Sequence, residues 1–395
     1  MGPTLDVATL PALLAPHYAR FRVGERILLT GHSHQAWPDV AREAVLEAFD
    51  DAAAHVDEKW GRAFTKAQRV REGLLARIDD VGGDLALAAN THDLLVRFLS
   101  ALPLRQRPRV VTTDGEFHTV RRQLARLGEE GLEVVAIPSL PAETVGARLA
   151  EALDARTATV IVSRVFFDSG AQARGLDQLA ARTKALDIPL VVDTYHAVNA
   201  VDFSLRDEGL LDAYVLGGGY KYLQLGEGNC FLRYPRDSAL RPVVTGWFAD
   251  FEGVANLGGA IRYGSHPGQR FAGATYDPTS HYRAAAVLDF FDAHGLTPAV
   301  LRASALRQLT RLRDGLRAVA CPGGTWMLRD VPLADHGAFL MVESREAGAL
   351  VARLGEAGVL VDYRGDRVRI GPAPYVTDAQ LDAAVAILGR LASRV

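Results

Sequence analysis

Three residues in the block VVDTYHAVNAVDFSLRDEGLLDAYVLGGGYKYL carry chemistry in an order that packing alone explains poorly. Asp193 ends an apolar run, His196 follows three residues later, and Lys221 comes after a second apolar run and three glycines. A lysine held among apolar strands is costly while charged, so it must be paired, neutralised or put to chemical use. Schiff-base formation with an aldehyde cofactor is such a use, and an anion beside a protonated ring nitrogen would keep that cofactor an electron sink. Taken singly, Asp193 can cap a helix and Lys221 can snorkel from a loop; together, in this order, they suit one site.

The elements that must position these residues are legible as a repeat. From Asp84 onward, short apolar runs alternate with amphipathic stretches: DLALAA then THDLLVRFLSAL, RVVTT then TVRRQLARLG, LEVVAIP then AETVGARLAEAL, ATVIVSRV then GLDQLAARTKAL, and IPLVVD. That alternation predicts an α/β fold with a large, mostly parallel sheet sandwiched by helices and a site at the strand ends. GNCFLRYP is expected to close the sheet antiparallel. Residues 38–56 read as a helix with Val40, Ala44 and Ala48 on one spacing and Val45 and Phe49 beside it. The glycine-broken stretch from Gly246 to Pro278 reads as a long functional loop region. Helices near 282–294 and 298–318, strands GAFLMVES, VLVDYR and RVRIG, and a last helix from Asp378 complete a smaller α+β unit. The expected boundaries are an N-terminal arm and helix to residue 60, a large α/β domain over 61–280 and the smaller domain over 281–395.

The chain has 395 residues, 49% of them apolar, enough for two domains with a large core. Its 44 Lys and Arg against 47 Asp and Glu leave a net charge of −3 and no bulk positive field, so nucleic acid is not an expected partner. Cys230 and Cys321 form no CxxC spacing, which removes a disulfide framework or a cysteine-rich zinc site and points to a reducing cytoplasm. No apolar run reaches the roughly 20 residues needed to span a bilayer, and the Gly2 context lacks the full acylation signal, so no membrane association is expected. His32 and His34 alternate across Ser33, but no further ligand sits at a recognisable spacing and no metal site is assigned.

DTYH followed by GGGYKYL resembles the signature of the kynureninases, within the class V, fold-type I superfamily of pyridoxal phosphate enzymes. The likeness runs in matching order from about residue 26 to the end. It implies that Lys221 holds the cofactor as a Schiff base, that Asp193 faces the pyridine nitrogen and that His196 lies near the ring hydroxyl. Tyr220 would touch the phosphate and act as a proton donor. Asn90 and Thr91, between a strand and the helix THDLLVRFL, offer free backbone N–H groups and a hydroxyl as a phosphate cradle, or simply a helix cap; both can hold at once. Phe117, after the strand RVVTT, matches the aromatic that stacks on the ring. Gly246-Trp247 and RFAGATYDP resemble elements whose Trp and Thr reach the phosphate of a neighbouring subunit, so Trp247 and Thr275 imply a homodimer with shared active sites. Arg369 aligns with the arginine that takes the substrate α-carboxylate, whereas Arg367 is expected on the opposite strand face, toward solvent.

Departures from the pattern fall on the substrate side. The element Gly31-His32-Ser33-His34-Gln35 replaces Gly-Asn-Ser-Leu-Gly, with His32 and Ser33 as candidate substrate contacts. Val120 stands where an acidic residue is usual, and SRVFFDSG puts Phe166 where a polar residue covers the ring, with Asp168 two positions on. Cys321 lacks the sequence context of the mobile cysteine in desulfurases of the same fold, and Cys230 reads as an ordinary buried strand residue. The expected activity is a kynureninase-like hydrolytic Cβ–Cγ cleavage of an aryl-oxo amino acid. Transamination or a lyase reaction such as β-elimination on another amino acid is the alternative, favoured by the altered residues 31–35.

Overall fold

Residues 5–81, 83–255, 258–320 and 324–392 are described by the structure, a computed structural model. Gly2 and Cys321 lie outside them. The strands are β1 (Ile27–Leu28), β2 (Asp84–Ala88), β3 (Arg109–Thr113), β4 (Glu133–Ile137), β5 (Thr157–Ser163), β6 (Leu190–Asp193), β7 (Tyr214–Gly218), β8 (Cys230–Tyr234), β9 (Met327–Arg329), β10 (Leu340–Glu343), β11 (Val359–Leu360), β12 (Asp362–Arg364) and β13 (Arg367–Ile370). The helices are α1 (Leu10–Leu14), α2 (Val40–His55), α3 (Lys59–Arg77), α4 (Thr91–Ser100), α5 (His118–Glu129), α6 (Val145–Glu151), α7 (Leu176–Ala185), α8 (Thr279–Ala293), α9 (Pro298–Val319), α10 (Ala347–Glu356) and α11 (Asp378–Ala392).

Seven strands form one sheet in the order β2-β8-β7-β6-β5-β3-β4, parallel throughout except for β8, which runs antiparallel to both β2 and β7. Every residue of β5, β6 and β7 is buried, as their unbroken apolar runs require of strands covered on both faces. The period of two survives inside those runs. Val160, Val162, Val192 and Val215 join the core on one face with Leu149 of α6 and Leu176 and Leu179 of α7. Ile161, Val191 and Leu216 join Leu94, Leu95 and Phe98 of α4 and Leu124 of α5 on the other. Parallel strands aim their C-terminal ends at one edge, so Thr113, Ser163, Asp193 and Gly218, each the last residue of its strand, gather there.

A second, antiparallel sheet has the order β12-β13-β10-β9. The segment VLVDYR, expected as a single strand, is divided between two sheets: β11 pairs parallel with β1, and after Val361 the chain continues as β12 beside β13. In that register Asp362 lies directly opposite Arg369. The expectation that Arg367 and Arg369 face opposite ways is corrected, since residues two apart on a strand share a face. Both reach the same segment: Arg369 Nη1 donates to the Phe167 carbonyl at 2.8 Å, and Arg367 Nη1 lies 3.6 Å from Asp168.

The helix α2 forms as expected, but Ala41, Ala44 and Ala48 make its buried face and Phe49 is exposed. Small residues there let α2 pack closely on α8, and Phe49 falls outside that narrow stripe. The described residues of 246–278 contain only short 3₁₀ turns, in keeping with their glycine and proline content. Among the described residues, no helix is long and apolar enough to cross a membrane.

Candidate active site

At the C-terminal edge of the large sheet, a cavity of about 260 Å³ is lined by Asn90, Thr91, Phe117, Asp193, His196, Tyr220 and Lys221, among others. The topology explains the convergence. Asp193 is the final residue of β6, His196 lies in the turn beyond it, and Tyr220 and Lys221 follow β7. Asn90 and Phe117 precede the first turns of α4 and α5.

The lysine is the electrostatic centre. Lys221 is buried, with its Nζ 2.6 Å from His196 Nε2. It sits 4.6 Å from the centre of the Tyr195 ring and 5.3 Å and 5.8 Å from those of Phe117 and Tyr220. Burial pulls its pKa down to about 7 although the Asp193 carboxylate pulls the other way; Arg369 lowers it further. Burial and then the neighbouring Lys221 hold His196 well below the usual imidazole range, and the direction of their shared hydrogen bond follows the imidazole tautomer. His196 Nδ1 is a buried nitrogen with no hydrogen-bond partner among the described residues. Burial raises the pKa of Asp193, opposed by the Tyr195 backbone N–H donating to its Oδ1 at 2.8 Å and by Lys221.

At the other end, Asn90 Oδ1 accepts from the Asp93 backbone N–H at 2.9 Å and caps α4. The cap satisfies one of the four unpaired amides of the first turn, and the helix dipole still favours an anion there. Cys230, read from sequence as an ordinary strand residue, also lines the cavity, with its thiol 3.8 Å from Tyr195 Oη and its pKa raised to about 11 by burial.

Other predicted residues lie elsewhere. Trp247 and Thr275 do not line this cavity; the indole Nε1 donates to Thr275 Oγ1 at 3.2 Å, and Thr275 borders a separate cavity of about 630 Å³. His32 is fully buried with its Nε2 2.8 Å from Asp362 Oδ1, and burial lowers its pKa to about 4 against the pull of that hydrogen bond. Ser33 Oγ is 3.1 Å from His34 Nδ1, and the His34 ring stacks on Tyr220 at 4.7 Å. Arg369 is buried with a bidentate ion pair to Asp362, its Nε donating to Oδ1 at 2.9 Å and its Nη2 to Oδ2 at 2.6 Å.

Sequence reasoning missed four features: Tyr195 under the lysine, Phe167 on the cavity wall, Asp362 and Glu116. Phe167 packs edge-on against Phe117 at 5.3 Å, while Phe166 is wholly buried. Glu116 has no solvent exposure and accepts from Thr113 Oγ1 at 2.6 Å, Ser163 N at 3.1 Å and Ser163 Oγ at 2.6 Å. Burial raises its pKa to about 7 despite those bonds. The signal for Tyr195 was its place inside DTYH; Glu116, an acid flanked by Gly115 and Phe117, gave none.

No protein-family model matches the chain. It is 27% identical over 410 aligned residues to the kynureninase of Pseudomonas fluorescens, covering 96% of this chain and 93% of that protein. It is 27% identical to the kynureninase of Xanthomonas campestris pv. campestris strain B100, over 89% and 87%. Among solved structures, an apo cysteine desulfurase from Thermococcus onnurineus NA1 aligns with a TM-score of 0.79 at 16% identity, covering 98% of this chain and 99% of that one. A variant of C-DES with glycine covalently linked to its pyridoxal phosphate aligns with a TM-score of 0.82 at 15% identity, covering 98% and 100%. The donor set fits the same group: one cavity offers a buried amine, a carboxylate, an unpartnered imidazole nitrogen and a helix N-terminus. The chain therefore has a fold-type I architecture and is similar in sequence, along most of its length, to the kynureninases.

Proposed function

We propose that the protein is a pyridoxal phosphate-dependent hydrolase that cleaves the Cβ–Cγ bond of kynurenine or a related aryl-oxo amino acid. The observation that carries the reading is Lys221, buried, drawn down to about neutral pKa and hydrogen-bonded to His196, in a cavity that also holds Asp193. The hydrolytic outcome draws its support from relatives named kynureninase along nearly the whole chain.

When bound, pyridoxal phosphate supplies an aldehyde for a primary amine and a protonated ring that withdraws electrons from it. The chain would do the rest. Asn90 and Thr91 at the start of α4 would hold the phosphate end, and Asp193 would keep the ring nitrogen protonated. Phe117 would pack on the ring and His196 would sit near its hydroxyl. Lys221 Nζ, with a pKa near 7, is suited to carry a proton to and from the substrate Cα at neutral pH. Burial raises the Tyr220 hydroxyl above its ordinary value, so it keeps the proton it would give to the departing product. Arg369 would orient the α-carboxylate. Trp247 and Thr275 would act on the phosphate of a second copy.

The test is incubation of the purified holoenzyme with L-kynurenine, followed by anthranilate fluorescence and assay for alanine. Stoichiometric anthranilate and alanine support the hydrolase. Release of pyruvate and ammonia, or of a keto acid that depends on added amino acceptor, would replace it with a lyase or transaminase. That second reading is favoured by His32, which stands in the altered residues 31–35 and is turned onto Asp362.

A further inference from the structure

Asp362 is a partly buried carboxylate that the proposed reaction does not use, and it is held from two separate elements. His32, after β1, meets Oδ1 at 2.8 Å. Arg369, its cross-strand partner on β13, occupies both oxygens. Burial alone would raise its pKa, but the hydrogen bonds from His32 and Arg369 win and hold it well below the usual carboxylate range. Because His32 is neutral, its single ring proton sits on Nε2 and points at Asp362.

The donors of Arg369 can be counted. A guanidinium carries five N–H groups, one on Nε and two on each terminal nitrogen. Asp362 takes Nε and one on Nη2, and the Phe167 carbonyl takes one on Nη1. Among the described residues, one N–H on each terminal nitrogen is left without an acceptor. A carboxylate bound side-on and a carbonyl on the other terminal nitrogen thus fix the plane of the guanidinium and leave two N–H groups over. A lone arginine would lose several rotatable bonds of freedom on gripping a ligand; this one has lost them already.

We propose that Asp362 is the positioning residue of the substrate-carboxylate site, holding Arg369 side-on so that its remaining N–H groups are ready for the α-carboxylate. The proposal rests on the amino-acid reading given above. The opposite role is a plug, in which Asp362 occupies the arginine and the substrate must displace it. The two differ in sign.

The experiment titrates the holoenzyme with L-alanine and, separately, with ethylamine, which has the same amine and no carboxylate, following the visible spectrum of the bound cofactor. Wild type, Asp362→Asn and Asp362→Ala are compared, and the kcat and KM for kynurenine are recorded alongside. The expected result is that Asp362→Ala binds alanine roughly tenfold or more weaker, and Asp362→Asn several-fold weaker, with ethylamine unchanged and the loss showing in KM before kcat. Tighter alanine binding in either variant means a plug and overturns the proposal. Unchanged alanine binding, or equal loss for alanine and ethylamine, overturns it as well, the second result indicating a structural role only. A wild type that does not prefer alanine to ethylamine overturns the amino-acid reading, and this proposal with it; a preference undiminished in both variants overturns this proposal alone.

Discussion

Lys221 and Asp193 make separable demands on the cofactor. Lys221→Ala should leave a folded chain that borohydride no longer couples covalently to pyridoxal phosphate, because the change removes the amine and little packing. Covalent trapping by the mutant would move the anchor to another residue. Asp193→Asn should still bind the cofactor yet lose most activity, since a neutral amide does not stabilise a protonated ring; near-normal turnover would mean that another group faces the nitrogen. Glu116 makes its demand on stability. Its folded pKa of about 7 lies above its ordinary value near 4.5, so the folded state holds a proton that the unfolded state releases over that window. A carboxyl of this kind stabilises most at or below its unfolded pKa and loses that contribution as pH rises through the folded one. Glu116→Gln removes the titration while keeping an oxygen for Ser163 N. Denaturation from pH 4.5 to 7.5 should show the wild type losing on the order of 2 to 3 kcal/mol relative to the variant. Parallel profiles for the two proteins would show that Glu116 is ionised throughout.

At the scale of elements, the start of α4 combines a cap and an anion site, and substitutions can pull the two apart. Asn90→Ala should cost about 1 kcal/mol of apoprotein stability by leaving the Asp93 amide unpaired. Asn90→Asp should keep that cap and the stability but weaken cofactor binding, because a fixed negative charge would meet the phosphate at the helix N-terminus. Thermal unfolding of the apoprotein and cofactor titration read the two effects independently, and equal cofactor affinity in wild type and Asn90→Asp would remove Asn90 from the phosphate site. The elements were legible where burial writes a period into the chain. The runs of β5, β6 and β7 announced a parallel sheet, and its strand ends gathered Asp193, His196 and Lys221 as their order implied. What could not be read was register between distant strands. Nothing near VLVDYR announces a crossing from one sheet to another, so the pairing of Asp362 with Arg369 was invisible, and with it the partner of His32. Phe167 on the cavity wall and Glu116, bonded to Ser163 of that wall, were hidden for the same reason.

The whole molecule leaves apolar surface where a second copy is expected. Val243, Val244, Trp247, Phe251 and Ile261 are exposed within one stretch of chain, and the Trp247 and Phe251 rings stack on each other at 5.1 Å. Trp247 and Thr275 lie in or just beyond that stretch, bonded to each other and away from the Lys221 cavity. If they serve a neighbour, each site of a twofold dimer takes its lysine from one chain and its Trp and Thr from the other. Lys221→Ala and the double variant Trp247→Ala, Thr275→Ala should then each be nearly inactive alone. Mixed under conditions that exchange subunits, half the dimers become heterodimers, and in each heterodimer one site regains an intact lysine together with an intact Trp and Thr. The mixture should recover roughly a quarter of wild-type activity per chain. Were Trp247 and Thr275 instead to serve the site of their own chain, no heterodimer would hold a complete set and mixing would restore nothing. The two assemblies therefore give different numbers from the same pair of proteins, and co-purification of the untagged variant on an affinity tag carried by the other confirms that subunits exchanged.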